Sequence, residues 1–265
     1  MTSGVRRAVA IVILVLGCAG AAACAKDKAV VPPGNAEADK FLFDRGQALL
    51  NDKKWVQSRE YFRQIVDNYP QSPYRPDAKL ALGDAYIGED TTESLLLAVN
   101  EFREFLTFYP TSPKADYAQY KLAVAQAGQM LAPERDQTAT REAIKEFDTF
   151  LERYPNSKYL PEVQKEARAA KDRLSEASYK VGVYYYRVKW WPGAIDRFRE
   201  VLKTDPEYTR RDGVYYYLAE TLLKQDKKAE ALPYYQRLVD EFQSSEYLEQ
   251  ARKRIAELSG STSGR

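Results

Sequence analysis

From about residue 37 to residue 258 apolar positions recur three and four residues apart, the spacing of helices with one buried stripe. Superimposed on that spacing is a longer one. A small residue stands four before an aromatic five times: Ser58 and Phe62, Ala98 and Phe102, Ala143 and Phe147, Ala194 and Phe198, Ala231 and Tyr235. Twelve residues after each small residue come Pro70, Pro110, Pro155, Pro206 and Gln243. Thirteen residues after Pro70, Pro110, Pro206 and Gln243 stand Gly83, Ala123, Ala219 and Ala256, while Gly46 and Gly182 occupy the same place in the first and fourth units. Small residues there let two helices approach closely. The unit is therefore a helical hairpin, repeated five times, and the fold class is all-α.

The stretches NYPQSPY, FYPTSPK and RYPNSKY mark the ends of the first three units. Proline stops the second helix because it lacks a backbone donor and biases its predecessor away from helix. Ser72 and Ser112 are then expected as N-caps with Pro73 and Pro113 at the first helical position, and Ser157 as a cap without the proline. The motif is punctuation rather than a nucleophile site. One interval breaks the rule: Pro155 to Gly182 is 27 residues, and no Gly or Pro interrupts Glu162 to Lys180, which predicts one long helix. The segment EYLEQARKRIAEL begins a further unit that is never completed, a capping helix.

These spacings resemble the tetratricopeptide repeat, with longer connections around GEDTTES and MLAPERDQ than that repeat normally has. The expected organisation is a signal segment at 1–23, a tether at 24–36 and repeats one to three at 37–157. Repeats four and five with the long helix and the cap follow at 158–258, and a disordered tail at 259–265.

The N-terminus changes the picture from a free solenoid to an exported one. Arg6 and Arg7 precede an uncharged apolar run from Ala8 to Ala23, and polar sequence begins at Lys26, the layout of a bacterial secretory signal. VLGC and AAAC both resemble the site at which a lipoprotein is cut before an acylated cysteine. Cys18 has the better apolar residue three before it; Cys24 has the fuller apolar region and is favoured. The competing reading is an unlipidated secreted chain with a disulfide between the two. Removing residues 1–23 leaves 38 basic and 38 acidic residues, and so no basic excess of the kind a nucleic-acid binder or a polybasic membrane binder normally shows.

The chain contains no histidine, and its cysteines lie in or beside the cleavable segment. No phosphate loop, zinc spacing or calcium loop occurs, and acidic pairs such as Glu101 with Glu104 fall at helical spacing on solvated faces. An enzyme, a metal and a cofactor are not expected. Repeat solenoids bind along the face built by their first helices. The position three before each small first-helix residue carries Phe43, Leu80, Tyr120, Tyr179 and Tyr216, with Tyr117 and Tyr186 nearby. Such a row suits a segment rich in Phe and Tyr. Phe43, Leu80, Tyr117 and Tyr120 are expected to receive clients, and Tyr179, Tyr186 and Tyr216 to dock a partner. The competing reading is that individual rings pack between adjacent repeats.

The cysteine motif, the tether with its Pro-Pro pair, five repeats with YPxSxY punctuation, and NSKYLPEV followed by KDRLSEASYKVGVYYY together resemble the BamD (ComL-type) family of outer-membrane lipoproteins of the β-barrel assembly machine. The resemblance implies a non-enzymatic scaffold on the periplasmic face of the outer membrane. Its N-terminal repeats would receive unfolded outer-membrane proteins and its C-terminal repeats would dock on the periplasmic domains of BamA. The alternative is a periplasmic tetratricopeptide protein of the Tol-Pal, cell-division or cell-wall machinery, which is usually preceded by a coiled coil; no heptad run precedes residue 37.

Overall fold

A computed structural model describes residues 37–260, so Cys18, Cys24, the tether and residues 261–265 lie outside the described part. Regular structure there consists of eleven helices and no strand. Packing groups the chain into two compact units, one ending at Ala81 and one beginning at Leu82; the division expected between residues 157 and 158 lies inside the second.

In the first unit α1 (Ala38–Asn51) and α2 (Trp55–Asn68) form a hairpin, and α3 (Arg75–Glu89) begins. Leu42, Leu49, Phe62 and Ile65 fill its core. The second unit takes in the rest of α3, then α4 (Thr92–Phe108), α5 (Ala115–Ala127), α6 (Thr138–Arg153), α7 (Leu160–Arg187), α8 (Trp191–Thr204), α9 (Arg211–Lys224), α10 (Lys228–Glu241) and α11 (Leu248–Gly260). From α4 onward each helix packs on the next, and the first helices of neighbouring hairpins also touch, α5 on α7 and α7 on α9. The helical-hairpin solenoid with a terminal cap read from the spacing is the observed architecture.

The small residue of each first helix faces the ring of the second. A Cβ built at Gly182 would stand 2.5 Å from Cε1 of Phe198, and one at Gly83 2.5 Å from Cζ of Phe102. Both rings are fully buried, so they cannot swing away as the end of a flexible chain could. Ala123 and Ala219 take the same place in the third and fifth hairpins and share cores with Phe147 and Tyr235. Burying such a ring contributes about 2–3 kcal/mol.

Hairpins one, four and five turn through one device. Lys53, Lys189 and Asp226 adopt φ of 58°, 63° and 55°. Each donates its N–H to the carbonyl three back, and the next residue donates to the carbonyl five back, as in Lys189 to Tyr186 (3.1 Å) and Trp190 to Tyr185 (2.9 Å). This is the Schellman closure of a helix, here with a non-glycine residue in the left-handed region. Its usual apolar contact is present in the fourth hairpin, where Trp190 meets Tyr185 edge-on with centroids 4.4 Å apart.

The punctuation serines differ from expectation in position. Ser72, Ser112 and Ser157 accept N–H bonds from Tyr74, Lys114 and Tyr159 at 3.1–3.2 Å, but the helices begin at Arg75, Ala115 and Leu160, three residues after each serine. The serines close a tight turn that leads into the helix, and Pro73 and Pro113 lie in that turn. Ser245 does the same for Tyr247, without a preceding proline. Ser157 also donates to Asp116 and Ser245 to Asp212, both at 2.7 Å, which ties each turn to the first helix of the preceding hairpin.

The long helix is continuous: α7 runs 28 residues, and its own buried face is Val163, Ala167, Ala170, Ser175, Tyr179 and Gly182. Its additional turns are held by polar clamps on both sides. Towards the turn after α8, Arg168 and Ser175 donate to Asp205, Asp172 accepts from Thr209 N–H at 3.1 Å, and Glu176 accepts from Tyr208 and Arg210. Burial pulls the Asp205 carboxyl up, and Arg168 with Ser175 more than offsets it, holding it below the usual carboxylate range. Towards the connection after α5, Arg173 donates to the Leu131 carbonyl at 2.7 Å and Lys180 pairs with Glu134.

Two outcomes follow from this packing. Ala169 is exposed on α7, so Ala169→Pro removes only backbone order; it should lower stability by about 3 kcal/mol in chemical denaturation, and an unchanged midpoint would contradict a continuous helix. Gly182→Val should overpack Phe198 and cost about 2–3 kcal/mol. Phe198→Ala alone should cost about 3–5 kcal/mol. The double variant should be more stable than the two losses summed, since the valine fills part of the vacated space; strict additivity in thermal denaturation would show that the two do not touch.

Candidate functional site

Three of the first-helix rings expected to line the groove have the same kind of partner. Phe43 stacks on Tyr74 (5.2 Å, 25° between planes), Tyr120 on Tyr159 (5.4 Å, 22°) and Tyr216 on Tyr247 (4.5 Å, 17°). In every case the partner stands two residues after a punctuation serine. The turn that stops one hairpin thus supplies a ring to the preceding first helix, and the reading in which rings pack between repeats holds at these positions without removing them from the surface: Tyr120, Tyr159, Tyr216 and Tyr247 are all half-buried. Tyr74, Tyr159 and Tyr247 were not singled out from the sequence, although the tyrosine in YPxSxY carried the signal.

In the second unit Tyr117 and Tyr120 come together around Tyr159. Tyr117 lies 5.5 Å from the Tyr159 ring and donates its hydroxyl to both carboxylate oxygens of Asp84 at 2.8 Å. Lys121 completes the cluster, with Nζ 3.2 Å from Asp84 and 5.8 Å from the Tyr117 ring centre. Burial and then the Asp84 charge push the Tyr117 phenol far above its ordinary range. Its hydroxyl is therefore a donor already committed to Asp84. Tyr120 is raised by burial and then by Glu166 and Glu162, and its hydroxyl has no hydrogen-bond partner among the described residues. It presents a flat ring and a free phenolic OH. Phe43 belongs to the first unit, where it also meets Phe62 edge-on at 5.9 Å. Leu80 is 4 % exposed and fills the core instead of offering surface.

The second group is denser. Tyr179 is 6 % exposed, packed edge-on against Tyr217 and tilted against Phe198; burial, with Tyr247 close by, pushes its phenol far up. It is the floor of the cluster. Tyr186 and Tyr216 remain half-buried, Tyr186 lying 5.5 Å from Trp191 and 5.3 Å from Tyr217. Burial, followed by the Glu220 charge, raises both phenols. Tyr247 is pushed up to about 12, chiefly by burial.

Beneath these rings Glu220 is 5 % exposed and fully engaged. Tyr235 donates to it at 2.6 Å, and Arg254 of α11 reaches both carboxylate oxygens at 2.8 and 3.2 Å. A buried carboxylate held by a two-pronged guanidinium is stable only with both partners present, so the capping helix is bound to the fifth hairpin by this pair as well as by Ala251. Glu220 and Arg254 fall at ordinary helical spacing, and nothing in the sequence sets them apart from the surface charges. Among the described residues no helix is long and apolar enough to cross a membrane.

Comparison with known proteins assigns the family. The model of the YfiO outer membrane lipoprotein family matches residues 35–221, and a tetratricopeptide-repeat model matches residues 214–245. The outer membrane protein assembly factor BamD of Caulobacter vibrioides is 28 % identical over 217 residues, covering 82 % of this chain and 68 % of its own. BamD of Vibrio cholerae is 28 % identical over 204 residues, covering 73 % and 80 %, and BamD of Xylella fastidiosa strain 9a5c is 24 % identical over 178, covering 63 % and 60 %. A tetratricopeptide solenoid that matches a family model over most of its length, with assembly factors of the outer membrane as its relatives, belongs to the YfiO outer membrane lipoprotein family, the family of BamD.

Proposed function

We propose that this chain is a non-enzymatic scaffold of outer-membrane protein assembly, held on the periplasmic face by an acylated Cys24 or Cys18. Its Tyr117–Tyr120–Tyr159 groove binds unfolded outer-membrane proteins, and the Phe43–Tyr74 pair of the first unit is a separate contact for them. Its Tyr186–Tyr216 group, floored by Tyr179, docks the periplasmic domains of BamA. The observation that carries the reading is the Tyr120 ring, stacked on Tyr159 and half-buried, with an uncommitted hydroxyl, in a family whose relatives are named for outer-membrane protein assembly. Outer-membrane β-strands alternate apolar and polar residues and carry aromatic girdles, so an extended client strand offers rings on one side and unpaired backbone amides along its length. A stacked ring gives contact area at low entropy cost, and a free phenol can accept or donate to the amides. Tyr117 contributes by position, since its hydroxyl is held by Asp84.

Tyr120→Ala should weaken binding of a C-terminal porin peptide about tenfold, the loss of one central ring, while Tyr120→Phe should lose less. Tyr186→Ala should weaken association with the periplasmic domains of BamA and leave the peptide affinity as it was. Wild-type peptide affinity in Tyr120→Ala, with circular dichroism unchanged, would place the client elsewhere. For the anchor, the intact mass of the mature chain purified from membranes should correspond to cleavage before Cys24, or before Cys18, plus a diacyl or triacyl cysteine. A mass without acyl groups would refute it.

A further inference from the structure

Among the described residues nine large apolar side chains stand in solvent, and four of them lie within ten residues: Val181 (38 % exposed), Tyr184 (60 %), Val188 (52 %) and Trp190 (53 %). Val181, Tyr184 and Val188 recur three and four residues apart, so they form one stripe at the end of α7, and Trp190 follows in the turn, against Tyr185. The turn is rigid. Lys189 is fixed in the left-handed region, Trp190 is pinned edge-on to Tyr185, and its indole covers Gly193, where a Cβ would stand 2.7 Å from the ring. An exposed tryptophan held in place by its own turn is a presented group, not a stray one.

Charge is concentrated at the same edge. α7 and α9 pack on each other as the first helices of neighbouring hairpins, with Tyr186 against Tyr217, so their two turns emerge on the same side. Those turns carry Arg187, Lys189, Lys224, Lys227 and Lys228 against one acid, Asp226. Arg187, Lys189 and Lys224 have no ion-pair partner among the described residues, and Lys227 and Lys228 make only long pairs, to Glu230 at 3.9 Å and Asp226 at 3.6 Å. A local excess of cations beside an aromatic tip, in a chain whose charges after residue 23 cancel overall, suits an anionic counterpart.

We infer that the turns of hairpins four and five form a second membrane contact, in which Tyr184, Val188 and Trp190 enter the headgroup region of anionic phospholipid and the five cations neutralise its surface. Tryptophan and tyrosine favour that depth, because one end of each ring system is apolar and the other can hydrogen-bond. Lysine and arginine act there without fixed partners, which suits flexible unpaired side chains better than a folded acidic protein does. Membership of an outer-membrane lipoprotein family puts the surface within reach. The contact lies on the turn edge, and its residues are other than Tyr179, Tyr186 and Tyr216 of the second group.

The test uses the mature chain purified from membranes, with Trp55→Phe and Trp191→Phe so that Trp190 alone reports. In vesicles of 70 % phosphatidylcholine and 30 % phosphatidylglycerol (about one anionic lipid in three, an anionic surface of the kind that attracts basic segments), Trp190 emission should shift to the blue and be quenched by brominated acyl chains. Pure phosphatidylcholine, high salt, or Lys189→Glu with Lys224→Glu should each abolish the shift and the quenching. Quenching reads the depth of residue 190 whether or not the N-terminus is acylated, so failure of the anchor and failure of this contact are separate results. No quenching in anionic vesicles, or equal quenching in pure phosphatidylcholine, overturns the inference. If the reporter variant misfolds by circular dichroism, a benzoylphenylalanine at exposed position 184 of the otherwise unchanged chain replaces it. Photolysis in native membranes should then yield a phospholipid adduct, and a protein adduct alone would overturn the inference in favour of a protein partner.

Discussion

A ring on the second helix of each hairpin pressed against a residue with almost no side chain on the first sets how closely the two helices stand. Where the first-helix residue is glycine, as at 46, 83 and 182, there is no room even for a methyl group unless the ring moves, and the rings at 62, 102 and 198 are fully buried. Fixing that distance fixes the angle at which the first helix meets its neighbour, and with it the row of side chains three residues before the glycine or alanine. Phe43, Tyr120 and Tyr216 face the next turn because of a contact made one helical turn further along the same side of their own helix. A ring three residues upstream of a small residue is thus placed by interior packing before any ligand arrives.

The solenoid was legible because its determinants are local. The small residue, the aromatic four residues after its counterpart on the second helix, and the proline that stops that helix are all read at fixed separations along one chain. The uninterrupted helix from Leu160 to Arg187 was legible for the same reason: nothing in Glu162 to Lys180 can stop it. The start of each first helix was less so, because the serine hydroxyl finds its N–H partner two residues on in a separate tight turn, leaving the helix to begin one residue later still.

The grooves were only half legible. Groove position followed from register, but exposure did not: Tyr179 is covered by Phe198, Tyr217 and Tyr247, and Leu80 is closed into the core, although the same register leaves Tyr120 and Tyr216 half open. The pairing of each open ring with a turn tyrosine requires knowing which residues come together across more than thirty positions, and the commitment of Tyr117 to Asp84 joins two hairpins 33 residues apart. Polar partners buried under rings, Glu220 with Arg254 above all, look in the sequence like any other surface charge and declare themselves only when the capping helix closes.

The phenols of both grooves share a further property. Burial raises Tyr117, Tyr120, Tyr179, Tyr186, Tyr216 and Tyr247, and the chain has no histidine to titrate beside them. These rings keep their protons throughout the neutral and mildly alkaline range, so their hydrogen-bonding pattern, donor intact and face uncharged, stays the same while the surroundings drift. Within that range whatever touches these rings meets the same uncharged phenol.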